Sequence, residues 1–191
     1  MATPNSVDIR LDFPPNPNAV KYVVDDHVLL ARGSASFTNL ATAEASPLAK
    51  RILTIPGVAS CLVGYNFITV VKTPEGDWEV LDAKTREALT AHINSGDPAV
   101  NPLTLDRPAT SGAADDTDLE KRIKAVLDQE IRPAVAMDGG DIVFEKFEAG
   151  TVYVYMQGAC SGCPSSTATL KMGIETRLKN AIPEVQEVVA L

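Results

Sequence analysis

Cys160 and Cys163 stand two residues apart in Gln157-Gly158-Ala159-Cys160-Ser161-Gly162-Cys163-Pro164-Ser165-Ser166, between a run that alternates like a strand and a run with helical periodicity. Two thiols at this spacing can hold a soft metal centre or form a reversible disulfide. Pro164 suits the first position of a helix, where a backbone N–H would lack an intrahelical partner. That places Cys163 near the N-cap, where the helix dipole and free N–H groups favour an anion, so a thiol there is expected to ionise readily. Ser161 and Gly162 are expected to bend the loop so that both sulfurs face outward.

The elements that must hold this loop read outward from it. Upstream, Ile142 to Phe147 and Val152 to Met156 form a hairpin around Glu148-Ala149-Gly150, with Asp138-Gly139-Gly140-Asp141 as the turn before it. Thr117-Asp118-Leu119-Glu120 matches a capping box. The helix it opens carries Leu119, Ile123, Val126, Leu127 and Ile131 on one side until Pro133 kinks or ends it. Downstream, a helix runs from Pro164 to about Asn180 with Leu170, Ile174 and Leu178 four apart. Ile182-Pro183-Glu184-Val185 then leads into a last strand, Val185 to Ala190. These pieces make a C-terminal domain over 117–191.

An N-terminal domain over 1–96 is built from similar parts. Val7 to Phe13 alternates as a half-buried strand, Ala19 to Val24 is its hairpin partner, and Ser34 to Phe37 is a short third strand. Ser46-Pro47 opens a helix with Leu48, Ile52 and Leu53. Val58 to Val63 and Phe67 to Lys72 are strands joined by Gly64-Tyr65-Asn66. A longer helix starts near Asp77-Trp78, runs to about Asn94 and stops at Gly96. The Ile-Pro-x-Val joint occurs at Ile55 and again at Ile182, which reads as shared turn chemistry and not as duplication. Over 97–116, Pro98, Pro102, Pro108, Ser111 and Gly112 interrupt any periodicity, as in a flexible linker. The fold class expected is α+β, two small domains with helices packed on small sheets.

With 45% hydrophobic and 22% charged residues, the chain of 191 residues is globular in composition. A net charge of -8 without a basic run argues against nucleic acid and against an anionic membrane surface as partners. The start, Met1-Ala2-Thr3-Pro4-Asn5-Ser6, shows no basic segment followed by an apolar one, and no apolar run is long enough to span a bilayer. Three cysteines are too few and odd in number for a secreted disulfide framework. The expected compartment is the reducing cytoplasm, where Cys-x-x-Cys is a metal or redox motif.

The C-terminal motifs Arg132-Pro133-Ala134, Met137-Asp138-Gly139-Gly140-Asp141-Ile142 and Gly158-Ala159-Cys160-Ser161-Gly162-Cys163-Pro164 resemble the Nfu (NifU-like) family of iron–sulfur carriers. Pro15-Asn16-Pro17-Asn18-Ala19, Ser46-Pro47-Leu48-Ala49 and Ile55-Pro56-Gly57-Val58 resemble that family's N-terminal domain. The resemblance implies a non-enzymatic carrier in which Cys160 and Cys163 ligate the cluster. It also implies upstream iron–sulfur scaffold proteins as donors, acceptor apoproteins as recipients, and an N-terminal domain that contacts partners. A [4Fe–4S] cube takes four thiolates, one per iron, and one chain offers two in this loop. A homodimer formed on cluster binding would complete the set, with [2Fe–2S] as the alternative nuclearity.

Other readings are weaker. A four-thiolate zinc site across the same dimer is chemically possible. A thiol–disulfide oxidoreductase also uses Cys-x-x-Cys at a helix start, but such a motif follows a strand in a βαβ pattern, and here an antiparallel hairpin precedes it. Cys61 sits in an apolar strand and reads as a packed small hydrophobe. Asp138-Gly139-Gly140-Asp141 lacks the oxygen-ligand spacing of an EF-hand and reads as a turn with glycines at positive φ. His27 and His92 lack a nearby Cys or His and read as surface or packing residues. Tyr153 and Tyr155 share one strand face without forming a stacking platform for bases. No Ser/His/Asp arrangement or phosphate-binding glycine loop is apparent.

Overall fold

The structure is a computed structural model that describes residues 7–101, 117–161 and 164–191. The chain divides into two compact units between residues 106 and 107.

The first unit contains strands β1 (Arg10–Asp12), β2 (Ala19–Val23), β3 (Ala35–Phe37), β4 (Val58–Val63) and β5 (Phe67–Lys72), and helices α1 (Pro47–Leu53) and α2 (Trp78–Ser95). The strands form one antiparallel sheet in the order β1-β2-β5-β4-β3. Ser46 caps α1 by accepting from the Ala49 N–H, with Pro47 in the first turn. Asp77 caps α2 through the Glu79 N–H, and Gly96, at φ 72°, ends it in the left-handed conformation. Leu48, Ala49 and Ile52 of α1 and Leu81 and Leu89 of α2 close a core with Val20, Tyr22, Cys61, Ile68 and Val70.

Two expectations change here. Alternation places Phe13 on the inner face, yet its side chain is 76% exposed, because the strand stops at Asp12 before Pro14-Pro15, which cannot extend a ladder. The linker expected from Asp97 starts later. Ala99 and Val100 are buried in the first core, and the Asn101 N–H donates to the Ala45 carbonyl at 2.7 Å. The remainder of that expected linker, 102–116, lies outside the described residues.

The second unit opens with α3 (Asp118–Val126), capped by the reciprocal Thr117/Glu120 box. Pro133 was expected to kink or end this helix. Instead the chain continues through a π-helical turn, Leu127–Ile131, into α4 (Arg132–Met137). Pro133 has no N–H to give the Gln129 carbonyl, and the wider turn, in which the Arg132 N–H donates to the Leu127 carbonyl, relieves the ring's clash. The turn also serves packing. Ile123, Leu127, Ile131 and Val135 are four residues apart, a spacing that drifts by about 40° per step around an α-helix. The π turn brings the stripe back into line, and all four are buried.

The helical run covers β6 (Gly140–Glu148), β7 (Thr151–Gly158) and β8 (Glu187–Ala190), a sheet in that order. β6 and β7 are antiparallel, whereas β8 runs parallel to β7 across the helix α5 (Pro164–Ala181). A βαβ crossover therefore holds the cysteine loop, contrary to the sequence-based argument against it. Gly140 and Asp141, expected in a turn, are the first residues of β6. Both Ile-Pro joints make the same turn, with the Val58 N–H donating to the Ile55 carbonyl and Val185 to Ile182. Among the described residues no helix is long and apolar enough to cross a membrane.

The β6–β7 hairpin turns on Ala149 at φ 49° and Gly150 at φ 85°. Two positive φ values suit Asn-Gly, whereas alanine pays a steric cost there. Ala149→Asn is expected to stabilise the second unit by about 0.5–1 kcal/mol. The check is the urea midpoint followed through β6 and β7 amide signals in the full chain. An unchanged or lower midpoint would contradict it.

Candidate functional site

The first cysteine of the pair sits where three backbone devices converge. Gly139, at φ 71°, ends α4 and accepts the Ala159 N–H at 3.1 Å. Gly158, at φ 63°, pairs with Gly140 at the last register position of the hairpin and turns the chain out of β7. The Ser161 N–H and hydroxyl both donate to the Gly158 carbonyl, at 3.1 and 2.8 Å, and the Thr167 hydroxyl donates to the Cys160 carbonyl at 3.2 Å. The loop is thereby tied to α4, β7 and α5.

Cys160 lies inside this frame. It is 6% exposed and packs with the second core. A Cβ added at Gly140 would lie 2.1 Å from its sulfur, so a side chain there would push the thiol off its present seat. Positive φ, expected for both glycines of the turn, is found at Gly139, while Gly140 leaves the thiol its room. Burial, with Asp138 and Asp141 nearby, pushes the Cys160 thiol up to about 12. The expectation that both sulfurs face outward is therefore corrected for Cys160, which is a shielded, neutral thiol. Cys163 and its expected N-cap position lie outside the described residues.

Asp141 follows Gly140 and is 4% exposed. Arg132 holds it with two parallel bonds, Nε to Oδ1 at 2.8 Å and Nη2 to Oδ2 at 2.7 Å, while its Nη1 reaches Asp128 at 2.9 Å. The carboxylates keep the Arg132 guanidinium charged well beyond its ordinary range. This fork fixes α4 against the start of β6, and so fixes the seat beneath Cys160. Both residues stand within the C-terminal motifs, where sequence alone assigns the pair no role. The signal was there: an aspartate opening an apolar strand needs a cation, and Arg132 precedes it by nine positions.

The remaining candidates belong to the first unit. Cys61 is fully buried in β4 of the first unit, and burial pushes its thiol up to about 12. His92 is buried on α2, where burial and Arg51 lower its proton affinity. Among the described residues, no group of three or more His, Cys, Asp and Glu side chains is placed to hold a metal ion.

Comparison with known proteins adds to this geometry. The family described as "NifU-like domain" matches residues 123–189, and "Scaffold protein Nfu/NifU N terminal" matches 9–96. The chain is 41% identical to "NFU1 iron-sulfur cluster scaffold homolog, mitochondrial" of Homo sapiens, over 94% of this chain and 70% of that protein. It is 41% identical to "NifU-like protein 4, mitochondrial" of Arabidopsis thaliana, over 94% of this chain and 64% of that protein. A solution structure of a NifU-like protein from Saccharomyces cerevisiae is 26% identical, covers 53% of this chain and 91% of its own, and aligns with a TM-score of 0.47. The chain spans about two thirds of the length of the curated relatives it matches. Their names correct the cytoplasmic expectation, since relatives matched along nearly the whole chain are called mitochondrial.

A thiol that ionises only towards pH 12 should react slowly with iodoacetamide at neutral pH. Peptide-resolved mass spectrometry of the cluster-free protein is expected to show Cys160 alkylation still rising above pH 9, where a free cysteine levels off. A plateau near pH 8 would contradict the burial. Gly140→Ala should cost about 1–3 kcal/mol through overpacking and speed Cys160 alkylation. Unchanged stability and reactivity would show that the sulfur does not rest there.

Proposed function

The chain belongs to the Nfu family, and on that premise we propose that it carries an iron–sulfur cluster and delivers it to acceptor apoproteins without catalytic turnover. The observation that carries the reading is the seat of Cys160, a thiol donor in the loop that opens a βαβ crossover, held in place by Gly140 and the Arg132–Asp141 fork. Relatives named as iron–sulfur cluster scaffolds support it.

The ligands proposed are Cys160 and Cys163. Each copy contributes two thiolates, and two copies complete the four that a [4Fe–4S] cube requires. Cys61 is not proposed to supply the deficit, since it packs within the first unit's core and has no second cysteine beside it in the sequence. The cluster is cargo, and its few protein ligands suit release. Acceptor cysteines replace Cys160 and Cys163 one bond at a time, each arriving thiol giving up a proton and each departing thiolate able to take one. Residues 1–96 contact partners in this account, and 117–191 hold the cluster.

The thiol–disulfide alternative gains from the βαβ crossover and loses on the thiol. An exchange nucleophile works through a lowered pKa, and Cys160 is shifted the other way. Insulin-reduction activity would favour it.

Cys160→Ser and Cys163→Ser are each expected to abolish the visible absorption of anaerobically reconstituted protein, while Cys61→Ser keeps it. Equal loss in all three would contradict the ligand assignment.

A further inference from the structure

Away from the cysteines, the first unit has a cleft of about 440 Å³ between the β1–β2 connection and the start of α2. Phe13, Pro14, Pro17 and Trp78 line it together with Tyr22, and Glu79 and Asp82 contribute carboxylates. The apolar lining is preformed. The Trp78 indole N–H donates to the Pro17 carbonyl at 3.3 Å, and the proline rings have little freedom to lose. Phe13 is 76% exposed, a large aromatic surface with nothing of its own unit over it.

Polar groups give the cleft a direction. The Tyr22 hydroxyl is sealed beneath the cleft beside Asp82 and Thr85, which leaves the two carboxylates as its charged lining. Asp82 is engaged by the Arg86 Nε at 3.0 and 3.1 Å. Glu79 has no ion-pair partner among the described residues, so its charge is left for something else. Proline and aromatic walls receive extended, proline-containing segments with little loss of entropy, and an unneutralised carboxylate beside them selects a cation.

We propose that this cleft docks an extended segment of an acceptor protein, with proline or aromatic side chains seated between Phe13 and Trp78 and a lysine or arginine facing Glu79. The inference rests on the carrier reading for the identity of the partner as an acceptor. The cleft and its preference stand on their own geometry.

Trp78 is the one tryptophan in the sequence, so its indole N–H signal reports the cleft in the full chain. The probe is a blocked ten-residue peptide of proline and leucine with two arginines at one end, set against the same peptide with two glutamates. The arginine peptide should shift the Trp78 signal saturably, and the glutamate peptide should bind roughly tenfold more weakly. Glu79→Lys should reverse that order, and Phe13→Ser should weaken both by about fivefold or more with β2 and β5 amide signals unchanged. Equal binding of both peptides, lack of saturation, or an unchanged order in Glu79→Lys would overturn the proposal. A Trp78 shift on dilution alone would also overturn it and assign the cleft to a second copy. Iron uptake is measured on the same samples. Wild-type protein that takes up no iron ends the carrier reading and leaves the peptide result intact, whereas loaded protein that ignores the peptides ends this inference alone.

Discussion

The sulfur of Cys160 rests on the bare backbone of Gly140, and the rest of the second unit keeps that contact in place. Gly140 is held because the next residue, Asp141, is clamped by Arg132. Arg132 is presented by a helix whose π turn absorbs Pro133 and keeps the Ile123-Leu127-Ile131-Val135 stripe on the sheet. Gly139 and Gly158, both at positive φ, let helix and strand turn towards each other at the same level. An error in any of these parts would reach the thiol within two or three residues.

A sulfur so placed is stored and not displayed. Burial and two nearby carboxylates keep Cys160 protonated, so the metal ligation proposed for it would release that proton. A buried, protonated thiol suits the proposed carrier better than an exchange catalyst, whose nucleophile works through a lowered pKa. Cys61 is protected by burial in a separate core, with no carboxylate involved.

Much of the fold was legible because its signals are local. Ser46-Pro47, Asp77 and the Thr117/Glu120 box cap helices where the sequence places them, and β4 and β5 have the expected bounds. What was missed depends on tertiary contact. Nothing local says that Ala99 and Val100 join the first core, whereas Pro14-Pro15 was a local sign that the strand stops short of Phe13. Pro133 is a helix breaker by local rules, and the π turn that absorbs it also keeps a continuous stripe over the sheet, a demand no local signal carries. The parallel β7–β8 pairing was hidden because strand direction is set across a whole crossover. Cysteine spacing announces the site, while the burial of Cys160 follows from a glycine twenty positions earlier.

In the proposed carrier, one chain holds half of the cluster's ligands and a second copy the remainder. Native mass spectrometry of the anaerobically reconstituted full chain, with iron and sulfide counted on the same sample, tests it most directly. The account predicts a dimer carrying one [4Fe–4S] cluster. A single chain that retains a complete cluster, or a dimer holding only zinc, would contradict it.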